Sequence, residues 1–292
     1  MSGAAADAER RKRIEEALLA WYAVHKRDLP WRQSRDPYAI LVAEVMLQQT
    51  QVDRVVPKWH AWLHRFPTLA DLARASRADA IRAWQGLGYN LRAVRLHQIA
   101  CEVVAEHNGN LPENVAGLLA LKGIGRYTAG AVAGFAYEQP VAMVDTNIRR
   151  VLSRVFQVRP GEVEALAERV VPAQAAYAWN QALMDVGATL CGPKRALCLV
   201  CPLVTECAGP EFSGTSASKP LRPAEEFRGS RRFYRGRLVE ALRGTPSGMS
   251  LHALCVAVGG SSGAAQMLGL VEKLAADGLV VVDSAQNVHL SE

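Results

Sequence analysis

Apolar residues recur at spacings of three and four along most of the chain, a pattern that predicts amphipathic helices. The clearest examples are residues 14–24, 38–47, 91–106 and 175–190. Sustained alternation of apolar and polar residues, the pattern of a half-buried strand, is nearly absent before residue 278. The body of the chain is therefore predicted to be all-α.

Residues that begin and end helices agree with this prediction. Asp36 followed by Pro37 suits the N-cap and first turn of a helix. The sequence Gly86-Leu87-Gly88 suits the end of the helix that contains Trp84. Helix boundaries are thus expected at both places.

The pattern changes after Cys207. Residues 208–228 are rich in Gly, Ser and Pro and are predicted to form a linker. Residues 229–292 show three helical patterns, at 236–242, 250–258 and 264–276, and then two short strands around a polar turn at 284–287. This order is typical of a winged-helix module, and a small packing or oligomerisation domain is the alternative.

Composition and the length of the apolar runs indicate the cell compartment and the kind of partner. The chain has 292 residues, is 50% hydrophobic and carries a formal net charge of +6, which permits a polyanionic partner without requiring one. The apolar runs are too short to span a bilayer, and the N-terminus lacks the apolar stretch of a secretory signal. We therefore expect a cytoplasmic protein with no membrane partner.

Four of the six cysteines lie in the last part of the helical body, at Cys191, Cys198, Cys201 and Cys207. In a reducing compartment, clustered cysteines are more often metal ligands than disulfides. Common zinc modules use two C-x2-C pairs, whereas this spacing contains one, which favours a [4Fe-4S] cluster over zinc. Lys194 and Arg195 lie in the first loop of the cluster, where they could contact a phosphate backbone.

A second motif combines a glycine turn with an acidic residue. The sequence LKGIG, with Gly123 and Gly125, lies between two helical patterns and predicts a helix-hairpin-helix, whose amide groups can receive a phosphate. About twenty residues later, Asp145 follows a short apolar run and precedes a helix expected to begin at Thr146. A carboxylate at such an N-cap receives backbone N–H groups and faces the positive end of the helix dipole.

These motifs occur together in one known group of proteins. LKGIGRYTAGAVAGFAY, VDTNIRRVLSRVF and the four-cysteine spacing resemble the helix-hairpin-helix DNA glycosylases of the endonuclease III superfamily. Within that superfamily, RDLPWR, DPYAILVAEVMLQQTQV and GLGYNLRA resemble the adenine DNA glycosylases. The resemblance covers residues 15–207 in order.

The resemblance implies an enzyme that flips adenine out of a duplex, where it is mispaired with 8-oxoguanine or guanine, and hydrolyses its N-glycosidic bond. Glu44, inside an apolar run, matches the general acid that protonates the adenine. Asp145 matches the carboxylate that stabilises the sugar cation, with Asn147 orienting it and Tyr127 near the reacting centre. Bifunctional relatives carry a lysine where this chain has Tyr127, so we expect a monofunctional glycosylase.

The resemblance also implies contacts to DNA. The residues expected to wedge into the base stack or to meet the orphaned base are Gln48, Gln49, Thr50 and Tyr89. Those expected around the extruded adenine are Arg32, Leu47 and Gln181. Gly123 and Gly125 are expected to donate backbone hydrogen bonds to a phosphate.

The chain departs from the family pattern in three places. Only 85 residues follow Cys207, too few for the Nudix-like C-terminal domain of typical members, which puts the preference for 8-oxoguanine in doubt. Asn90 stands where the family repeats a tyrosine, and Thr146 where glycine is common. A glycosylase for thymine or uracil opposite guanine is the nearest alternative function, although Glu44 argues against it. A non-catalytic DNA-binding regulator is a further alternative, whereas an electron carrier lacks the ferredoxin cysteine spacing.

The predicted architecture is an all-α fold with two lobes around a cleft, across which Glu44 and Asp145 would meet. Residues 30–136 are expected to form a six-helix barrel, and residues 1–29 with 137–207 an iron-sulfur lobe. The linker 208–228 and the winged-helix-like domain 229–292 follow. We expect a monomer that binds double-stranded DNA and, given the family, works on the bacterial nucleoid during repair.

Overall fold

The computed structural model of the protein describes residues 3–209 and 227–292. Most of the predicted linker therefore lies outside the described residues. In chain order the helices are α1 (Gly3–His25), α2 (Pro37–Leu47), α3 (Val52–Arg65), α4 (Leu69–Arg74), α5 (Arg77–Ala83), α6 (Leu91–Glu106), α7 (Val115–Ala120), α8 (Arg126–Ala136), α9 (Thr146–Phe156), α10 (Val163–Val170), α11 (Ala176–Thr189), α12 (Arg231–Arg243) and α13 (Leu251–Ala276). The strands are β1 (Met249–Ser250), β2 (Val280–Val282) and β3 (Asn287–Leu290). The prediction of an all-α body is confirmed.

The described residues divide into two compact units. The first contains residues 3–41, 113–119 and 124–209, and the second contains residues 42–112, 120–123 and 227–292. These units do not match the predicted domains one to one, because the C-terminal residues group with residues 42–112. The predicted domain boundaries stay a prediction.

Helix boundaries follow the local signals. The Asp36 carboxylate accepts a hydrogen bond from the Tyr38 N–H at 3.0 Å, as an N-terminal capping residue does. Helix α5 ends at Ala83, and both Gly86 (φ 87°) and Gly88 (φ 70°) adopt the left-handed backbone that favours glycine. In the hairpin between α7 and α8, Gly123 has φ 107° and Gly125 is the N-cap of α8.

The C-terminal module is built on two helices and a three-stranded antiparallel sheet in the order β1-β3-β2. The predicted hairpin is confirmed, since Val281 of β2 pairs with His289 of β3. The two helices expected at 250–258 and 264–276 are instead one continuous helix, α13. Glycine disfavours helix by about 1 kcal/mol, and burial along α13, at Leu254, Met267 and Leu270, outweighs that preference.

This module shares its hydrophobic core with the preceding helices of the second unit. Leu238 and Leu242 of α12 and Leu270 of α13 belong to the same buried cluster as Ile81 of α5 and Val94 of α6. The Arg243 guanidinium adds a hydrogen bond to the Ile81 carbonyl at 3.1 Å. The module is therefore packed onto α5 and α6.

No helix within residues 3–209 and 227–292 is both long enough and apolar enough to cross a bilayer.

Candidate functional site

Asp145 is the N-cap of α9, as the sequence predicts. One carboxylate oxygen accepts a hydrogen bond from the Ile148 N–H at 2.7 Å, and the other accepts one from the Asn147 side-chain amide at 3.0 Å. The side chain is partly exposed. Both oxygens are thus held by donors, which fixes the orientation of the carboxylate before any substrate binds.

Asn147 is itself positioned by the neighbouring helix α11. Its side-chain oxygen accepts a hydrogen bond from Arg150 at 2.8 Å, and Arg150 also donates to the carbonyls of Gly187 and Cys191, both at 2.6 Å. A Cβ atom at Gly187 would lie 2.6 Å from the Asn147 Cβ. Only glycine therefore allows α9 and α11 to approach this closely.

The segment before Asp145 is also anchored to α11. The Asn180 side chain accepts a hydrogen bond from the Met143 N–H at 3.3 Å and donates one to the Val141 carbonyl at 2.9 Å. On the other side, Met143 packs so tightly on α8 that a Cβ at Gly134 would lie 2.8 Å from its terminal methyl group. The approach to the carboxylate is thus held from two sides.

Glu44 lies on α2 and is buried, with 5% of its surface exposed. Its neighbours on both sides are also buried, namely Leu41, Val42, Ala43, Val45 and Met46. The predicted burial is confirmed. Glu44 and Asp145 belong to different units, so their meeting across a cleft stays a prediction.

Arg32 is engaged by a carboxylate of the protein. Its two terminal nitrogens bond both oxygens of Asp185 at 2.8 Å, and Arg27 adds a third contact at 2.6 Å. Burial opposes ionisation of Asp185, but the hydrogen bonds and charges of the two arginines outweigh it and hold its pKa below the ordinary value. Gln181 is buried one turn earlier on α11. Contact of Arg32 and Gln181 with adenine stays a prediction.

Arg92 organises the two loops that carry the predicted wedge residues. Its buried guanidinium donates six hydrogen bonds, to the carbonyls of Val45, Met46, Gln48, Leu87 and Gly88 and to the Thr50 hydroxyl. Burial lowers its pKa to about 10. One side chain thus ties the loop after α2 to the loop before α6.

The wedge candidates stand out from these loops. Gln48 and Gln49 are exposed, and Tyr89 has 45% of its surface exposed. Gln49 (φ 56°) and Tyr89 (φ 45°) both adopt left-handed backbone without being glycine, a strained state that clusters at functional sites. Leu47, at the end of α2, is half-buried. Tyr127, the second residue of α8, is also half-buried.

The four clustered cysteines are free thiols. Burial raises the pKa of the Cys201 and Cys207 thiols. Arg154 donates to the Cys191 sulfur at 3.1 Å, and the Gly209 N–H donates to the Cys207 sulfur at 3.4 Å. Within the described ranges, no three His, Cys, Asp or Glu side chains are placed to hold a metal ion.

Comparison with known proteins identifies the family. Residues 42–173 match the HhH-GPD superfamily of base excision DNA repair proteins. A protein of Mycolicibacterium smegmatis named adenine DNA glycosylase is 39% identical over 270 residues, which cover 90% of this chain and 91% of the relative. The chain belongs to the adenine DNA glycosylase family.

Two solved structures resemble this family member. A thermostable thymine-DNA glycosylase is 30% identical, with a TM-score of 0.67 over 70% of this chain and 99% of that one. An endonuclease III trapped covalently on DNA is 22% identical, with a TM-score of 0.61 over 69% of this chain and 97% of that one, a likeness that shows the fold alone. The helix-hairpin-helix glycosylase fold is confirmed.

The structure adds three residues that support the candidate site and that were not predicted from the sequence. Arg92, Arg150 and Gly187 each hold a predicted site residue in place through contacts with distant parts of the chain. Gly187 had a usable signal, because a lone glycine inside a helical pattern indicates close packing. Arg92 stands among buried apolar residues of α6, which singles it out as a buried charge, but its acceptors cannot be read from local sequence.

Proposed function

We propose that this protein is a monofunctional glycosylase that hydrolyses the N-glycosidic bond of adenine mispaired with 8-oxoguanine or guanine. The adenine specificity is supported by the relative that matches nine-tenths of the chain under that name. The observation that carries the chemistry is the doubly held carboxylate of Asp145, beside Asn147, on the rigid pair α9 and α11.

The reaction needs two carboxyl groups in different environments. Glu44, buried in α2, would donate a proton to the adenine ring and so make the base a better leaving group. Asp145, partly exposed and oriented by Asn147, would stabilise the positive charge that develops on the sugar as the bond breaks. The contrast in burial between the two supports this division of roles.

Substitution tests this assignment. We expect Asp145→Asn and Glu44→Gln each to lower single-turnover adenine release by about 10²- to 10³-fold or more, while duplex binding is retained. Asp71→Asn, at the exposed capping box of α4, is the matched control and should leave release unchanged. Full activity in either catalytic variant would refute the assignment.

The substrate is tested with four duplexes, carrying A opposite 8-oxoguanine, A opposite G, A opposite C, and T opposite G. Adenine loss from the first two supports the proposal. Thymine removal is the second candidate function, favoured by the 30% identity with a thymine-DNA glycosylase. Thymine loss without adenine loss would replace the proposed substrate.

The absence of lyase chemistry follows from Tyr127. A tyrosine has no amine that could form a Schiff base with the sugar. We expect no protein–DNA adduct when the reaction is run with borohydride. Efficient trapping would show that another amine takes part and would contradict the monofunctional assignment.

DNA recognition is assigned to the loops that Arg92 holds. Gln48, Gln49 and Tyr89 would enter the base stack, which offsets part of the few kcal/mol that base flipping costs. Thr50 would help to contact the orphaned base, and Gly123 and Gly125 would offer their amide groups to a phosphate. Leu47, Arg32 and Gln181 are proposed to surround the extruded adenine.

Cys191, Cys198, Cys201 and Cys207 are proposed to hold a [4Fe-4S] cluster. The N–H donors aimed at two of the sulfurs fit thiolate ligands. When bound, the cluster would supply structural support for the loop that carries Lys194 and Arg195. Iron and acid-labile sulfide in equal amounts, about four of each per chain, are expected, whereas zinc alone would refute the assignment.

The last part of the proposal concerns the oligomeric state and the location of the protein in the cell. The protein would act as a monomer on double-stranded DNA in the cytoplasm, at the bacterial nucleoid. A single species of about 32 kDa in solution would support the monomer.

A further inference from the structure

A cavity of about 770 Å³ lies where the C-terminal module meets the wedge loops, within the second unit. Its walls come from the loops at Gln48 and Tyr89, from helices α3, α6, α12 and α13, and from Phe227 and Leu279.

The described lining of this cavity is strongly cationic. Six arginines line it, namely Arg54, Arg92, Arg95, Arg232, Arg235 and Arg243, against one acidic residue, Glu240. Glu240 is already bonded to Arg243. The charge therefore fits an anionic partner, and a concave surface of one sign concentrates such a partner.

The arginines divide into two groups. The first group already bonds other parts of the protein. Arg92 bonds loop carbonyls and Arg235 bonds Asp277. Arg243 bonds Glu240 and Asn90. Arg54, Arg95 and Arg232 are exposed, and none of the ion pairs found in the described part of the chain includes them. The first group shapes the wall, and the second can meet a ligand.

Arg232 also links the cavity to the wedge. Its guanidinium donates to the Tyr89 hydroxyl at 2.8 Å and lies 5.1 Å from the centre of the Phe227 ring. Tyr89 is one of the two wedge candidates with left-handed backbone, so a ligand on Arg232 would lie directly beside it. Arginines interleaved with aromatic rings are a common surface for nucleic acid.

We propose that this cavity binds the phosphate backbone of duplex DNA, with Arg54, Arg95 and Arg232 as the phosphate contacts. Through Arg232, helix α12 of the C-terminal module thereby contacts the duplex beside the wedge candidate Tyr89. The inference rests on the proposed function only in taking DNA as the substrate. It gives the C-terminal module a role that does not depend on reading any particular base.

The experiment measures duplex affinity as a function of salt for the full chain and its variants. Each phosphate contact contributes about 0.9 to the slope of log affinity against log salt. Arg232→Ala should lower the slope by about 0.9, which corresponds to roughly eightfold weaker binding at 0.1 M salt. The triple change Arg54→Ala, Arg95→Ala and Arg232→Ala should lower the slope by about 2.7.

Arg231→Ala is the matched control, because Arg231 is exposed on the same helix but does not line the cavity. Its slope should equal that of the unchanged protein. Phosphate contacts do not read sequence, so mispaired and fully paired duplexes should lose affinity equally in the Arg232 variant. Unchanged thermal unfolding would show that each variant is folded.

Three outcomes would overturn the proposal. The slope could stay unchanged in the triple variant, the Arg231 control could lose as much as Arg232→Ala, or only mispaired DNA could be affected, which would indicate a base contact instead. Adenine release is measured separately under saturating protein. If the variants lower the slope but the unchanged protein releases no adenine, the DNA-binding cavity is supported and the proposed function is rejected. If the unchanged protein releases adenine but the variants leave the slope unchanged, the proposed function is supported and the DNA-binding cavity is rejected.

Discussion

Replacing Gly187 with alanine should reduce catalysis with little effect on folding. The new Cβ would lie 2.6 Å from the Asn147 Cβ and 3.2 Å from its Cα, whereas two carbons in contact prefer about 3.5 to 4.0 Å. Helices α9 and α11 must then separate by about 1 Å. Because Asn147 holds the Asp145 carboxylate, that displacement reaches the group proposed to stabilise the sugar cation.

The size of the effect follows from two opposing contributions. Overpacking costs about 1 to 3 kcal/mol, and alanine regains up to about 1 kcal/mol of helix propensity. The net loss of stability is then about 0 to 2 kcal/mol, a fall of a few degrees in Tm. A misplacement of about 1 Å can lower a rate about 10²-fold, so adenine release should fall much further than stability.

Single-turnover adenine release and thermal unfolding, measured on the same preparations, separate these effects. Gly269→Ala is the matched control, since Gly269 also lies inside a helix, α13, but a Cβ there meets nothing within 4 Å. It should be neutral or stabilising, with normal release. If Gly187→Ala releases adenine as fast as Gly269→Ala, the close approach of the helices does not position Asn147 and the reasoning is wrong.

Three further changes test the supporting contacts. Arg92→Met should lower the free energy of unfolding by about 3 kcal/mol or more, because buried carbonyls lose charged donors. Urea unfolding of this variant beside Arg92→Lys checks the prediction. Equal stability of Arg92→Met and the unchanged protein would contradict it. Asp185→Asn should cost about 3 kcal/mol at pH 7. The pKa of Asp185 is lowered in the folded state, so its contribution to the free energy of unfolding is complete above pH 3.8, the ordinary pKa. That contribution disappears as the pH falls through the folded-state pKa. The stabilities of the unchanged protein and the Asp185→Asn variant, plotted against pH, should therefore converge in acid. In the proposed cluster, Arg154→Met should speed the loss of iron, because the Cys191 sulfur loses its donor. Arg195→Met, exposed in the same loop, should not, and equal rates of iron loss would show that the Arg154 bond does not matter.

Features that depend on neighbouring residues could be predicted from the sequence. The capping of α9 by Asp145 connects residues three apart, and the hairpin of β2 and β3 needs only a polar turn between apolar runs. Both are fixed by local chemistry. The unbroken α13 could not be predicted, because burial of residues such as Leu254, Met267 and Leu270 outweighs the local preference of its glycines.

Long-range contacts set the limit of the sequence argument for the site itself. The motif GLGYNLRA points to Tyr89 but not to Arg92, whose acceptors lie 4 to 47 residues away along the chain. Likewise, the motif VDTN points to Asn147 but not to Gly187 on another helix. Sequence motifs therefore identify the groups that are proposed to face the substrate, and the structure identifies the residues that hold those groups in place.

The left-handed backbone of Gln49 and Tyr89 shows why this distinction matters for function. Such backbone costs a non-glycine residue about 1 to 2 kcal/mol, and glycine at either position would remove that cost. The chain instead keeps side chains that can enter a base stack, and Arg92 supplies the opposing stabilisation by bonding the carbonyls next to both residues, those of Gln48 and Gly88. The proposed wedge is thus held in shape in the free protein, so less ordering entropy would be lost in the proposed binding to DNA. Because Arg232 bonds the Tyr89 hydroxyl, the C-terminal module adds to the same pre-organisation, which gives a physical reason for its packing on α5 and α6.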